Sequence, residues 1–423
     1  MVKDSFNHTS SWINGTHKGK ADAGLIGELN RSIVLNFIRQ EGSISRAEIA
    51  VRTQLSRSAV SNIISSLLDE GIVHESGIGE SKGGRRPIMV NFNYSVAYVL
   101  GIDMGANHLL ALLADLEGNP VAEFNAEFSV ENGPEIGIPI LVELIRRIVE
   151  SEFLKNKRLY GIGLGVTGPL DFETGTVVMP PLMPGWNKFP LRRYLSEEFQ
   201  LPVLVDNDAN LGAIGERWRG AGLGQNNLAY VKLGTGIGCG MVVDGKIFRG
   251  ANGSAGEIGH ITITRDGPPC RCGSFGCLES MAGTPAIINR IRLAIQAGRD
   301  TTLTKICDPA DLTVAAIGEA AASGDNLSME VISDAGRYIG IALATLVNLF
   351  NPSMIILGGG VAAVGEVILN QIKQTAKDRS LVASFQGMQI VRGKLGIEAV
   401  AIGAAMLVLQ EVFKGPQLSL VTG

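Results

Sequence analysis

The run LAYVKLGTGIGCGMVVDGKIF, residues 228–248, repeats the plan of YVLGIDMGANHLLALLAD, residues 98–115: an apolar strand, a glycine loop and a second apolar strand. Strand pairs of this kind recurring more than a hundred residues apart predict two similar lobes of α/β type. Between and after them the pattern alternates. LYGIGLGVTGPLD is a buried strand running into a glycine loop, and PVLVDNDANLGAIGERW reads as strand, polar loop and helix. A helix is expected over 134–153. MEVISDAGRYIGIALATLVNLF is a long apolar helix leading to the strand MIILGGG, and a helix near 400–413 closes the chain. The 54 glycines lie mostly in these short loops rather than in a low-complexity tract.

Ahead of residue 94 the periodicity is different. Residues 1–27 are polar and without period, and read as a mobile tail. Ile33, Val34, Phe37 and Ile38 then recur at helical spacing, with Gly42 as the stop. Ser45 and Glu48 form a capping box for a short second helix. After the turn at Leu55-Ser56, a third helix runs from Arg57 to Glu70, with Val60, Ile63, Ile64, Leu67 and Leu68 inward and Gly71 ending it. IVHESGI and PIMVNFN alternate as two strands around the polar loop GESKGGRR. Three helices and a β-hairpin make a winged helix-turn-helix over 28–93.

In that layout the second helix of the motif enters the major groove by its N-terminal end. Ser56, Arg57, Ser58, Ser61 and Asn62 occupy that end here, and Lys82, Arg85 and Arg86 sit in the wing. Arginine can donate two bonds to guanine and asparagine can pair with adenine. Residues 28–93 hold eight Lys/Arg and seven Asp/Glu, so bulk charge decides nothing and placement favours DNA. The alternative is a helical module that contacts another protein.

The whole chain of 423 residues is too long for one core, and its net charge of −4 excludes a protein that coats nucleic acid. No apolar run reaches the length of a membrane span, and the N-terminus has no signal-peptide core, so the expectation is a cytoplasmic protein with no membrane partner. Three of the five cysteines fall in eight residues. His260, Cys270, Cys272 and Cys277 supply one nitrogen and three sulfurs between tight Gly and Pro turns, a ligand set suited to structural Zn2+. Cys239 and Cys307 stand apart and read as inert core residues.

GEIGHITITRDGPPCRCGSFGCLE and the preceding LGTGIGCGMVVDGKIFRGANGSAGEIGH resemble the signature of the ROK family (repressors, open reading frames and sugar kinases), over roughly 98–412. The resemblance implies a two-lobed, actin-like (ribonuclease H-like) α/β fold behind the winged helix. The N-terminal lobe would span 94–220 with the C-terminal helix 400–414, and the C-terminal lobe with the zinc site 221–399. It implies sugar contacts from Asn207, Asp208, Glu257, His260 and Glu279, with Asp208 as catalytic base if the protein is a kinase. His260 would then serve zinc and sugar with one ring nitrogen each.

For ATP and Mg2+ the motif match is partial. Gly234, Thr235, Gly236 and Gly238 resemble the family's second phosphate loop, and Gly358 and Gly359 its adenosine-side loop. The first loop departs: where the kinases read Asp-x-Gly-Gly-Thr followed by Lys, this chain has Asp103-Met104-Gly105-Ala106-Asn107-His108. A Cβ is added and a hydroxyl and an ammonium are lost, where phosphoryl transfer depends on aligned charge. The expected function is therefore a sugar-responsive repressor of carbohydrate genes, a homodimer or tetramer on a pseudo-palindromic operator. The alternative is an ATP-dependent, glucokinase-like sugar kinase acting on a hexose hydroxyl.

Overall fold

The computed structural model describes residues 23–78 and 86–413. Lys82, Arg85 and residues 1–22 of the expected tail lie outside them. The described chain falls into two units: residues up to Ala97 together with those from Leu409, and Tyr98–Val408.

The first unit carries α1 (Ala23–Glu41), β1 (Ile44–Ser45), α2 (Arg46–Thr53), α3 (Arg57–Asp69), β2 (Val73–Ile78) and β3 (Ile88–Phe92). The strands form one sheet in the order β1-β3-β2, so a short strand before α2 joins the expected hairpin. Both caps follow from hydroxyl chemistry: Ser45 Oγ accepts the Glu48 N–H at 3.2 Å and Ser56 Oγ accepts that of Ala59 at 3.1 Å. α1 begins at Ala23, inside the expected tail. Val34, Leu35 and Ile38 are buried, while Ile33 is 41% exposed. Val34 and Ile38 are one turn apart with Leu35 beside them, whereas Ile33 lies about 100° round the helix. At the chain's other end, the Arg39 guanidinium lies 4.2 Å over the Phe413 ring. The last turn of the expected 400–414 helix thus belongs to this unit.

The second unit contains two five-stranded sheets of identical plan. In the first lobe β4 (Ala97–Met104), β5 (His108–Asp115) and β6 (Pro120–Glu127) form a meander. Then come α4 (Gly133–Val149), β7 (Arg158–Val166), a small ribbon of β8 (Leu170–Asp171) and β9 (Thr176–Val177), α5 (Leu191–Phe199), β10 (Val203–Asn207) and α6 (Asp208–Arg219). In the second lobe β11 (Leu228–Leu233), β12 (Ile237–Val243) and β13 (Lys246–Ile247) form the meander. Helices α7 (Leu278–Ala282), α8 (Thr284–Gln296), α9 (Leu303–Ile306), α10 (Val314–Ala322) and α11 (Asn326–Phe350) follow. Last come β14 (Met354–Gly358), α12 (Glu366–Arg379), α13 (Val382–Phe385) and β15 (Gln389–Arg392), after which α14 (Ala399–Val412) returns to pack on β4 and β7 of the first lobe. The sheet orders are β10-β7-β4-β5-β6 and β13-β12-β11-β14-β15. Each lobe's first strand is central, with its meander on one side and two later strands on the other. The echo between residues 98–115 and 228–248 is the trace of this duplication.

Each central strand is apolar because helices cover both of its faces. Contact is close enough that glycine is required: a Cβ on Gly101 of β4 or Gly163 of β7 would collide with backbone carbonyls of α14. α11, the longest helix, is capped by Asp325, whose carboxylate accepts N–H bonds from Ser328 at 2.9 Å and Thr302 at 2.7 Å. Burial pushes that carboxyl up, but the hydrogen bonds outweigh it and hold its pKa at about 2. Asp325→Ala is expected to cost about 1–2 kcal/mol in chemical denaturation near neutral pH. A depressed carboxylate stabilises above its unfolded pKa and loses that contribution as pH falls through the folded one. The wild-type advantage should therefore shrink between about pH 4 and pH 2.

Candidate ligand cleft, metal cluster and nucleic-acid face

The strand ends and glycine turns of the second unit's two lobes meet around one cavity of about 290 Å3. The first lobe contributes Asp103 from the end of β4, His108 from the start of β5, Thr167 after β7, and Asn207 and Asp208 at the β10–α6 junction. The second contributes Lys232 from β11, the β11–β12 turn Gly234–Gly236, Glu257, His260, Glu279 and Gly359. All five sequence-derived sugar contacts line this cavity. Cavities of this kind hold a small ligand by a few directed polar groups among apolar walls, here Pro169, Pro181, Leu182 and Ile237.

The polar residues differ in how free they are. Asn207 is the N-cap of α6: its Oδ1 accepts the Ala209 N–H at 2.9 Å, and its Nδ2 donates to the Gly168 carbonyl at 3.2 Å. Its side chain is largely committed to holding the strand-to-helix turn. Asp208 is 6% exposed, and its Oδ2 accepts from Thr167 Oγ1 at 3.0 Å and from Lys232 Nζ at 2.7 Å. Glu279 Oε2 accepts the Ile237 N–H at 3.0 Å. Burial raises the Glu257 carboxyl above its ordinary range, with His260 opposing, and burial raises Glu279 against the Ile237 hydrogen bond. Carboxyls desolvated in this way gain most from hydroxyl donors of a bound polyol.

Three charged groups here escaped the sequence reading. Lys232 is one, and its signal is a lysine inside an otherwise buried strand, YVKLG. The others are Asp206, 1% exposed, and Arg249, which donates to it at 2.6 Å and stacks 3.7 Å over Phe172. Asp206 also accepts from Asn210 Nδ2 at 3.0 Å, so this pair braces the turn that presents Asp208.

The candidate nucleotide loops differ in how they suit ATP and Mg2+. The β11–β12 turn keeps its glycines. The β4–β5 turn does not suit a phosphate: the His108 ring lies over Gly105, where even a Cβ would collide with it. His108 Nε2 lies 3.2 Å from Asp103 Oδ2. Gly358 is packed on Tyr230, whose hydroxyl a Cβ would strike, so that glycine answers a packing need. The residues present do not fit Mg2+-ATP.

The His/Cys set does fit a metal. Ligand atoms of His260, Cys270, Cys272 and Cys277 lie within 4.8 Å of one another. Cys272 and Cys277 sulfurs are 3.8 Å apart and His260 Nδ1 is 3.6 Å from Cys270 Sγ. A tetrahedron of Zn–S bonds of about 2.3 Å has S–S edges of about 3.8 Å. His260 Nε2 is left to face Glu257, with Oε2 at 3.9 Å. Cys239 is a buried core thiol whose pKa burial pushes up to about 12, while Cys307 is half-buried rather than in the core.

On the first unit, Ser56, Arg57, Ser58 and Asn62 are exposed at the start of α3, with Ser61 half-buried against Arg46 at 3.4 Å. Arg86 is exposed at the near end of the wing.

Duplicated sheets around one polyol-sized cavity define a two-lobed protein of the sugar-kinase fold class, joined to a winged helix. Residues 99–411 match the model described as ROK family, and the chain belongs to that family. Residues 28–86 match a MarR family model. The chain is 35% identical to the xylose repressor of Caldicellulosiruptor bescii over 393 residues, covering 93% of this chain and 98% of that one. A crystal structure of a ROK family transcriptional regulator, a homologue of E. coli MLC protein, matches with TM-score 0.77 and 29% identity over 92% of this chain and 97% of that one. A ROK family glucokinase from Streptomyces griseus, in complex with glucose and AMPPNP, matches with TM-score 0.67 and 30% identity. It covers 74% of this chain and 100% of its own. The share left uncovered by the kinase is about the size of the winged-helix unit.

Among the described residues no helix is long and apolar enough to cross a membrane.

Proposed function

We propose that this protein is a sugar-responsive, DNA-binding transcriptional repressor of carbohydrate genes, acting in the cytoplasm as a homodimer on a pseudo-palindromic operator. The observation that carries the reading is one chain holding a polyol-sized cavity with a blocked phosphate loop, and an exposed polar N-terminus on a winged helix's α3. Its similarity to a xylose repressor along nearly the whole of both chains supports the same reading. Sugar hydroxyls donate to Asp208 and Glu257, with Glu279 and His260 closing the other side. Because these groups come from both lobes, a sugar favours one lobe arrangement over another, and the DNA-binding units follow. One structural Zn2+ on His260, Cys270, Cys272 and Cys277 holds His260 and Glu279 in place.

The test is operator binding by mobility shift across free and phosphorylated xylose, glucose and N-acetylglucosamine. One sugar should change the operator Kd by about 5–150-fold. No response to any of them, together with sugar-dependent ADP release, would overturn the reading in favour of a kinase. Arg57→Ala should weaken operator binding by about 1–3 kcal/mol, or roughly 5- to 150-fold, while leaving sugar affinity intact. An unchanged Kd for DNA would point instead to a protein-binding module.

A further inference from the structure

Two carboxylates and one ammonium converge at the floor of the cavity. Lys232 Nζ lies 2.7 Å from Asp208 Oδ2 and 3.9 Å from Asp103 Oδ1. The Asp103 side chain is 3% exposed, and its buried Oδ1 has no hydrogen-bond partner among the described residues. The Lys232 side chain is 18% exposed, and its strand neighbours Leu228–Val231 and Leu233 are all buried. Burial alone would lower an ammonium in such a place, but Asp103 and Asp208 reverse this and hold Lys232 above its ordinary value. Burial likewise raises the Asp103 carboxyl, and Lys232 with His108 outweigh it, leaving it below the carboxylate range.

The duplicated fold explains how the charges meet. Asp103 and Lys232 hold the same place in their lobes: each is the second-last residue of the central strand, two residues before the glycine of the following turn, Gly105 or Gly234. The repeat points a carboxylate from one lobe and an ammonium from the other at a common floor. Paired carboxylates beside a phosphate loop are ordinarily neutralised by a divalent metal. A lysine offers the same service as a compact charge with three donors, without a metal's open coordination positions.

We propose that Lys232 is a built-in cation that replaces a divalent metal in this cleft, holding Asp208 as a fixed hydrogen-bond acceptor and leaving Asp103 and Asp208 unable to recruit Mg2+. Asp208 thus binds a sugar hydroxyl without serving as its base. The second clause rests on the sugar-binding reading of the cleft; the first does not.

The test is a Mn2+ titration of the full-length, zinc-loaded chain, followed by the loss of the free-ion paramagnetic resonance signal. Wild type is expected to bind no Mn2+ that depends on Asp103. Lys232→Met, which keeps the length and removes the charge, is expected to acquire one Mn2+ per chain and to lose it again when Asp103→Asn is added. Added Mg2+ should leave wild-type sugar affinity within twofold and raise that of Lys232→Met by tenfold or more. Stoichiometric Mn2+ in the wild type that Asp103→Asn abolishes would overturn the proposal. So would a folded Lys232→Met chain, with native zinc content and circular dichroism, that binds none. Should Lys232→Met fail to fold, the wild-type titration alone decides. The Mn2+ readout needs no sugar, so a failure of the sugar reading leaves it standing and is recognised separately, by the absence of any sugar effect on wild-type chain.

Discussion

Cys277→Ser is expected to remove the bound metal and the sugar response together. Cys277 is fully buried, its sulfur is 3.8 Å from that of Cys272, and the next residues begin α7, which carries Glu279. The metal set also contains His260, whose second nitrogen faces Glu257. Structural zinc in small domains contributes about 10–16 kcal/mol of apparent binding energy at neutral pH. Loss of one sulfur ligand should therefore drop the metal from one per chain to well below one by elemental analysis. Displaced supports of a site's contacting groups typically cost about 10–100-fold in affinity, and the sugar Kd should weaken by that range. Operator binding without sugar should persist, because α3 lies in the other unit. Metal loss with sugar affinity unchanged would separate the metal from the sugar site and assign it to folding alone.

The second large effect is on stability. Glu216 in α6 is fully buried, and its carboxyl accepts backbone N–H bonds from Ala221 at 2.7 Å, Leu395 at 2.9 Å and Lys394 at 3.2 Å. It ties the helix that presents Asp208 to the segment leading into α14, where Gly396 and Ile397 line the cavity. Glu216→Ala leaves three backbone donors without their acceptor, each costing about 1–3 kcal/mol when buried, partly relieved where water enters. An overall loss of about 3–5 kcal/mol is expected in urea unfolding of the full chain. Glu216→Gln, which keeps one acceptor oxygen, should fall between. A loss below about 1 kcal/mol for the alanine variant would show that these bonds are replaced at little cost.

Local chemistry made a large part of this protein legible. The cap at Ser45 follows from a hydroxyl placed where an orphan N–H needs an acceptor, and the structure forms it, whereas Ser56 read only as part of a turn and the fold shows it capping α3 as well. The duplicated lobes were visible because strand, glycine turn and strand must each be written in adjacent residues. The metal set was visible for a similar reason, since four ligands within eighteen residues can close on one ion through tight turns alone. The inward face of α1 was not legible, because neighbouring apolar residues leave the direction ambiguous until β3 and α2 are in place.

What needed the tertiary structure lies where distant segments meet. Asn207 read as a sugar contact, and only the fold shows that on the cavity wall its amide also caps α6 and holds Gly168. His108 read as a missing lysine, and only the fold shows its ring filling the room above Gly105. Lys232 and Asp103 are far apart in sequence and on different lobes. Periodicity records which side of its own strand a residue faces, but not which charge waits across the cleft. The sequence alone therefore determined the lobes, the Ser45 cap and the close His/Cys cluster, because each is written in neighbouring residues. The tertiary structure decided which charges pair, because an ion pair between lobes depends on where two sheets bring their ends.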